Sequence, residues 1–309
     1  MAHKAHLPRV VDHMRVGGFF DRVMSGGPEL ARVQQFLLSC AGERVAAAPG
    51  GRLQRPDYPC FPGLQHRPWH DPQAFEAARL LEAAFEPIRA EALRLRQVDE
   101  LDYSAAARPW RSWKRPWTLL RPDAAPRAWT VHLLHHMGVR VEDLHGACPQ
   151  TMAVVDTLPG TCTAYPWGDA LFSAMDAHSH LRAHCSIDNL RVRLHLGLVV
   201  PPRCRMRVGH DTRAWQEGRC LAFEDSFEHE VWNGSDQRRV VLIVDLWHPD
   251  LTAIETRVLT AGFRQSGVRR IFMAERLGMT RSPQPYLQRL EAELVRQDQD
   301  EAVRAYWNP

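Results

Sequence analysis

The sequence has no long apolar run: nowhere do about 18 apolar residues follow one another, the length that indicates a transmembrane helix. Residues 1–8, MAHKAHLP, also lack the apolar stretch of a signal peptide. The seven cysteines are an odd number and show no CxxC spacing, which argues against a disulfide framework and favours reduced thiols. We therefore expect a cytoplasmic protein with no membrane partner.

A strong charge imbalance is also missing. The chain carries 39 basic and 36 acidic residues for a net charge of +3, whereas a nucleic-acid-binding protein concentrates a large basic excess on one face. We therefore expect no nucleic-acid partner. With 309 residues, of which 45% are hydrophobic, the chain can bury the core of one large domain or two small ones. Its 16 histidines are numerous, so a histidine carries little information by its mere presence.

Strand patterns dominate the second half of the chain, where turn signals separate them and helical periodicity is missing between them. Several strands of this size close together favour a double-sheet jelly roll. The expected fold class is mainly β with flanking helices, a double-stranded β-helix (jelly-roll or cupin-like) barrel. The predicted strands cover residues 171–175, 189–200, 218–224, 228–233 and 238–248.

Helical periodicity lies mostly on either side of these strands. The segment 72–97 has an apolar face but contains Pro87, which predicts a kink or two helices that meet. The other predicted helices cover residues 28–40, 152–158, 251–263 and 282–306. We expect an N-terminal accessory helical region at 1–57, a main domain at 58–250 with its barrel core at about 165–250, and a C-terminal helical tail at 251–309.

The strand predicted from residue 190 onwards alternates between an apolar face and a charged face. The apolar side chains are Val192, Leu194 and Leu196, and the charged or ionisable ones are Arg191, Arg193 and His195. Three such groups on one face of a buried strand are costly unless an anion meets them, so the pattern predicts a pocket for a small carboxylate. We expect His184 at the entrance of this pocket and His229 on a second strand beside it.

This layout is typical of an iron oxygenase that uses 2-oxoglutarate. Such an enzyme holds Fe(II) with two histidines and one carboxylate and leaves the opposite positions open. The carboxylate normally comes two residues after the first histidine, where this chain has Ser186. Asp188, four residues after His184, is an outside candidate that turn geometry makes a poor substitute. The residues alone therefore leave the triad incomplete.

Several stretches of the chain resemble the aspartyl/asparaginyl β-hydroxylase family, in order and over roughly two-thirds of its length. The matching stretches are 61–64 (FPGL) with 68–69 (PW), 168–173 (GDALFS), 193–198 (RLHLGL), 223–232 (FEDSFEHEVW) and 245–251 (DLWHPDL). In that family glycine commonly stands where the carboxylate ligand would be, and two histidines alone hold the iron. Ser186 departs from the glycine but likewise supplies no carboxylate.

The resemblance implies a role for each matching position. His184 and His229 would be the iron ligands and the catalytic centre, and Arg239 would form a salt bridge with the distal carboxylate of 2-oxoglutarate. The remaining residues would also contact carboxylates: Ser173 beside Arg239, and His195 near the metal. Arg193 would bind the cosubstrate and Arg191 the substrate, although the sequence does not divide these two roles between the arginines. The implied cofactors are Fe(II), 2-oxoglutarate and O₂.

The function that follows is hydroxylation at the β-carbon of an Asp-, Asn- or His-type residue, with release of succinate and CO₂. The substrate is expected to be a small molecule, a carrier-bound group or a peptide. A halogenase or another oxidative tailoring enzyme using the same site is one alternative, since a missing carboxylate makes room for chloride. A non-catalytic jelly roll that binds 2-oxoglutarate or a peptide is another, although the complete set of two histidines and Arg239 argues against it.

Overall fold

Two antiparallel sheets form the centre of the molecule, in a computed structural model that describes residues 6–43, 51–95, 101–102, 128–141, 147–277 and 292. The expected fold class, a mainly β jelly-roll barrel with flanking helices, is confirmed. The strands are β1 (Trp69–His70), β2 (Leu101–Asp102), β3 (Trp129–His136), β4 (Val139–Arg140), β5 (Ala170–Met175), β6 (Ser179–His184), β7 (Arg191–Val199), β8 (Cys204–Val208), β9 (Asp211–Arg213), β10 (Cys220–Phe223), β11 (His229–Asn233) and β12 (Arg239–Trp247).

The larger sheet has the strand order β1-β10-β7-β12-β5-β3-β2, with β4 paired to β3, and the smaller sheet has the order β6-β11-β8-β9. Because the side chains of β7 alternate as predicted, one face of this strand packs outside the large sheet and the other faces the space between the two sheets. Val192, Leu194 and Leu196 join an apolar layer on the outer face of the large sheet. A second apolar cluster, which includes Val241 and Ile243 of β12, fills the space between the sheets.

Helices cover the large sheet and one end of the barrel. They are α1 (His6–Val16), α2 (Phe19–Met24), α3 (Ala31–Cys40), α4 (Glu76–Ala83), α5 (Phe85–Arg94), α6 (Pro149–Val155), α7 (Ala253–Phe263) and α8 (Ser266–Leu277). Helices α4, α5 and α6 pack on the outer apolar layer, and α1–α3 share a separate core with α7 and α8. No helix among the described residues is long and apolar enough to cross a membrane.

The predicted helices differ from the observed ones mainly at their ends. In the segment with Pro87, α4 ends and α5 begins two residues later, so the proline lies in the first turn of α5, where it breaks no hydrogen bond. Helix α6 begins three residues before its predicted start, because the Glu91 carboxylate caps it by accepting from the amides of Gln150 and Thr151 at 3.0 and 2.8 Å. The helix predicted at 282–306 lies outside the described residues, apart from residue 292, and the domain boundaries stay a prediction.

The outer apolar layer gives a direct test of the alternation in β7. Leu196 is fully buried there, so Leu196→Ala should lower the free energy of unfolding by about 2–5 kcal/mol, through lost transfer energy and the cavity left behind. Leu93→Ala is the control, because Leu93 is 56% exposed and its loss should cost less than about 0.5 kcal/mol. Urea unfolding of the two variants measures both values. Equal losses would contradict the assigned face.

Candidate active site

His184 and His229 lie directly opposite each other in the small sheet. His184 ends β6, His229 begins β11, and the two are partners in the antiparallel register. Their ring centroids are 4.2 Å apart. The pairing therefore brings together two imidazoles that are 45 residues apart in the chain, without any contribution from a flexible loop.

The same backbone contact fixes the proton position on both rings. His184 Nδ1 donates to the carbonyl of Arg182 at 2.7 Å, and His229 Nδ1 donates to the carbonyl of Phe227 at 2.9 Å. A proton on Nδ1 leaves Nε2 with the lone pair, which is the form that ligates a metal. Each histidine is thus oriented by the carbonyl two residues before it.

Burial keeps both rings uncharged. It lowers the pKa of His184, and burial together with the neighbouring His184 lowers the pKa of His229 to about 3. A metal ligand must be a neutral imidazole, so protons do not compete for these nitrogens near neutral pH. The pair can bind a divalent cation at its Nε2 atoms.

The site also contains the buried guanidinium of Arg239. Arg239 begins β12, is 2% exposed, and its Nε and Nη1 have no hydrogen-bond partner among the described residues. Its guanidinium carbon lies 5.0 Å from the centre of the Trp215 ring. Burial lowers the pKa of Arg239 to about 10, so it remains charged at neutral pH. A charge in this state requires an anion, and a carboxylate matches the guanidinium geometry.

His195 lies between Arg239 and the histidine pair. It is 5% exposed and neither ring nitrogen has a hydrogen-bond partner in the described part of the chain. Its ring is parallel to Trp215 at 6.1 Å and edge-on to Phe223 at 4.9 Å, and Phe223 lies 5.9 Å from His229. Burial, and then the charges of Arg239 and Arg193, lower the pKa of His195 well below its usual value. A continuous series of contacts therefore joins the histidine pair to Arg239 through Phe223, His195 and Trp215, and we call the site that these side chains form the chamber.

Ser173 faces the same interior. It lies opposite Val241 in the register of β5 and β12, and Arg239 is on the same face of β12 two residues earlier. The Ser173 hydroxyl accepts a hydrogen bond from Trp129 Nε1 at 3.1 Å. Its expected contact with the cosubstrate carboxylate stays a prediction.

Internal carboxylates already meet the two arginines of β7. Arg191 contacts Asp188 at 3.3 Å and Asp225 at 3.1 Å, and Arg193 makes a two-pronged bond to Asp245 at 2.7 Å for each contact. The inference that this face needs an external anion was therefore wrong for Arg191 and Arg193, and the charge without an internal carboxylate partner is that of Arg239 on β12. The substrate and cosubstrate roles predicted for the two β7 arginines have no test here and stay predictions.

Ser186 and Asp188 also belong to this ionic network. The Ser186 hydroxyl accepts from Arg191 Nη2, and its backbone amide donates to the Asp225 carbonyl at 2.8 Å. Asp188 accepts from the Tyr165 hydroxyl at 3.0 Å as well as from Arg191. Neither side chain is therefore free to join the histidine pair. The geometry agrees with the expectation that Asp188 is a poor substitute for the ligand carboxylate.

Asp225 connects the network to the histidines. Its Oδ2 faces Arg191 and Arg193, whereas Oδ1 is buried with no hydrogen-bond partner among the described residues. Burial would raise the pKa of Asp225, but Arg191, Arg193 and His229 lower it on balance. Three buried carboxylates, those of Asp188, Asp225 and Asp245, thus face two guanidinium groups. Among the charges of this network, that of Asp225 acts most strongly on both histidines, and it favours a cation there.

Sequence reasoning missed the aromatic wall of the chamber, formed by Trp215 and Phe223. Trp215 follows an exposed strand, and no periodic pattern marks it. Gly197 is the sequence feature that could have indicated a close approach of another segment to β7. A Cβ at this position would lie 2.4 Å from the carbonyl oxygen of Gln216. Only glycine lets the segment before β10 lie against β7, which brings Trp215 beside His195.

Comparisons with known proteins show what the chain is similar to. The model of the family described as aspartyl/asparaginyl beta-hydroxylase matches residues 82–249. Human aspartyl/asparaginyl beta-hydroxylase is 39% identical over 134 residues, which are 43% of this chain and 18% of that protein. Human aspartate beta-hydroxylase domain-containing protein 1 is 35% identical over 212 residues, 67% of this chain and 51% of that protein.

A bacterial relative matches with a more even coverage. The ornithine lipid ester-linked acyl 2-hydroxylase of Rhizobium tropici is 35% identical over 191 residues, 60% of this chain and 62% of that protein. The chain therefore spans less than two thirds of the length of each of these three relatives. The family match covers more than half of the chain and contains His184, His229 and Arg239. On these grounds the chain belongs to the aspartyl/asparaginyl β-hydroxylase family.

Proposed function

We propose that this protein is an Fe(II)- and 2-oxoglutarate-dependent hydroxylase. The observation that carries the proposal is the buried guanidinium of Arg239, two of whose nitrogens have no partner among the described residues. It shares one chamber with two histidines whose protons lie on Nδ1 and leave Nε2 able to ligate. A cation site and an anion site joined by His195 suit a cosubstrate with a metal-binding end and a distal carboxylate. Family membership supports the same chemistry.

His184 and His229 would hold the iron, and Arg239 would hold the distal carboxylate of 2-oxoglutarate. When bound, iron and 2-oxoglutarate would supply the electrons that activate O₂, and 2-oxoglutarate would leave as succinate and CO₂. The residues of the chain do the positioning. His195 would offer a nitrogen to the end of the cosubstrate near the metal, and Ser173 would add a hydroxyl on the side of Arg239. The aromatic rings of Trp215 and Phe223 would exclude water from the site.

The ionic network compensates for the ligand carboxylate that this chain lacks. Ser186 contributes no charge, and its hydroxyl is bound to Arg191. Asp225 instead places its negative charge near the histidine pair. A divalent cation is therefore less costly to bury there than it would be among neutral groups only. Fe(II) bound by two neutral imidazoles would thus keep a nearby counter-charge.

The substrate proposed is an Asp-, Asn- or His-type residue, free, carrier-bound or in a peptide, hydroxylated at its β-carbon. A second candidate is the 2-position of an ester-linked acyl chain. The similarity to the Rhizobium acyl 2-hydroxylase favours it, because that match covers 62% of the relative, against 18% for the human β-hydroxylase. The second candidate would also require a lipid partner, which the sequence does not lead us to expect.

A succinate-formation assay with two substrate panels tests the proposal. One panel contains Asp, Asn and His, free and within peptides, and the other contains ester-linked acyl lipids. Succinate should rise with one panel in an Fe(II)- and 2-oxoglutarate-dependent manner, and the product should gain one oxygen even in chloride buffer. A chlorine-for-hydrogen exchange would support the halogenase instead. Binding of 2-oxoglutarate with no oxidised product from any panel would support the binding module.

Metal binding should depend on the two paired histidines. His184→Ala and His229→Ala should each weaken binding of Mn(II), a substitute for Fe(II), by at least about tenfold, because each removes one of two protein ligands. The matched control is His180→Ala. His180 lies on the same strand as His184 but stacks on Trp232 and contacts Glu230. Electron paramagnetic resonance of free Mn(II) measures the affinities, and a large loss in the control variant would contradict the assignment.

Cosubstrate affinity should depend on Arg239. Arg239→Gln should raise the 2-oxoglutarate concentration needed for half-saturation roughly 100-fold, because truncating one partner of a buried charge pair costs about 2–5 kcal/mol. Arg239→Lys should have a smaller effect, since it keeps the charge and loses the two-pronged geometry. Arg205→Gln serves as the control, as Arg205 is an exposed residue of β8. Unchanged 2-oxoglutarate dependence in Arg239→Gln would exclude this anion site.

Asp188 should matter for stability and not for metal binding. Asp188→Ala removes a buried partner of Arg191 and should lower the free energy of unfolding by about 3 kcal/mol. Mn(II) affinity of the folded variant should stay close to that of the wild type. Asp236→Ala, which breaks only exposed ion pairs, should change stability little. Loss of metal binding in the folded Asp188 variant would make Asp188 a ligand.

A further inference from the structure

A buried carboxylate outside the chamber meets three imidazoles from distant parts of the chain. Glu224, directly after β10, accepts from His66 Nδ1 at 2.8 Å, from His70 Nε2 at 3.0 Å and from the backbone amide of Arg67 at 2.8 Å. His248 Nε2 lies 3.5 Å from Glu224 and has no hydrogen-bond partner in the described ranges. The proposed function leaves this cluster without a role.

The cluster has the composition of a metal site. Ligand atoms of His66, Glu224 and His248 lie within 4.8 Å of one another. Asn189 decides against that interpretation. Its Oδ1 accepts from the Phe61 amide at 2.8 Å, so its Nδ2 is the group that faces His66 Nε2 at 3.0 Å. An amide nitrogen only donates, and the His66 proton is therefore on Nδ1, directed at Glu224.

His248 has its proton placed in the same way. Its Nδ1 accepts from the Asp250 amide at 3.2 Å, which leaves the proton on Nε2, on the side of Glu224. Burial would raise the pKa of Glu224, but His248, His66, His70 and the Arg67 amide lower it on balance. The cluster is thus an ionised carboxylate surrounded by N–H donors, with no lone pairs of His66 and His248 directed at it.

The position of His66 links the two segments that carry the paired histidines. Asn189 lies five residues after His184, in the connection to β7. Glu224 lies five residues before His229, and its carbonyl accepts from the Phe227 amide at 3.2 Å. Phe227 in turn supplies the carbonyl that orients His229. The imidazole of His66, only 3% exposed, bridges these segments through its two nitrogens.

We propose that His66 is a positioning residue for the metal site, one that holds in place the segments that follow His184 and precede His229, which the β6–β11 register pairs, by bonding Asn189 with one nitrogen and Glu224 with the other. The proposal rests on the proposed function in taking these histidines as metal ligands. Acceptance from Asn189 requires a lone pair on Nε2 and therefore a neutral ring, and donation to Glu224 then needs the proton on Nδ1, so the bridge is specific for histidine.

Metal titration of the whole protein tests this role without turnover. His66→Phe removes both bonds and should weaken Mn(II) binding roughly tenfold, the lower end of the usual effect of residues that orient ligands. His66→Asn, the milder change, keeps a donor for Glu224 and loses the Asn189 bond, and should weaken Mn(II) binding roughly threefold. The visible spectrum of bound Co(II) should change in both variants.

The matched control is His70→Phe, which removes one donor from Glu224 and leaves the His66 bridge intact. It should keep the Mn(II) affinity and the Co(II) spectrum of the wild type, even if its melting temperature falls as much as that of His66→Phe. Equal metal affinities in His66→Phe, His70→Phe and the wild type, or equal losses in both variants, would overturn the proposal.

Two further results separate this proposal from the proposed function. A second metal ion per chain that persists in His184→Ala would overturn the proton assignment in the Glu224 cluster and with it the bridge. Failure of the wild type to bind Mn(II), or full binding in His184→Ala, would remove the proposed iron site and therefore the role of His66. Normal wild-type binding with an unaffected His66→Phe would overturn the bridge alone.

Discussion

The buried charge of Arg239 is the constraint on which the chamber depends. Among the arginines that face the barrel interior, Arg191 and Arg193 are neutralised by Asp188, Asp225 and Asp245, whereas two nitrogens of Arg239 have no partner among the described residues. A cation held out of water in this way costs several kcal/mol unless an anion reaches it. Arg239 has this cost in the same chamber that contains His195 and the histidine pair.

Under the proposed function, the histidine pair would form a metal site without a carboxylate ligand. Register places the two rings together, carbonyl groups set their tautomers, and burial keeps them neutral. The negative charge that a ligand carboxylate would carry is located in Asp225, one layer farther out and shared with two arginines. Because the ligands would be the histidines and the negative charge would come from Asp225, more room would remain around the metal than in the usual triad.

The sequence predicted what depends on local patterns. Alternation in β7 identified its two faces, and the strand-rich region indicated the jelly roll. It failed where long-range contacts decide. An external anion was wrongly predicted at Arg191, because its partner Asp225 lies 34 residues away in the sequence and shows no local pattern. The start of α6 was missed because the residue that caps it, Glu91, belongs to another helix. Trp215 and the Glu224 cluster likewise depend on segments that only the folded chain brings together.

A crystal structure of the protein grown anaerobically with Mn(II) and 2-oxoglutarate would test the central claim most directly. The predicted result is one metal ion bound by the Nε2 atoms of His184 and His229 with no protein carboxylate in its coordination sphere, and the distal carboxylate of 2-oxoglutarate on the guanidinium of Arg239. A metal ion at Glu224 and His248, direct coordination by Asp188 or Asp225, or a cosubstrate carboxylate away from Arg239 would contradict it.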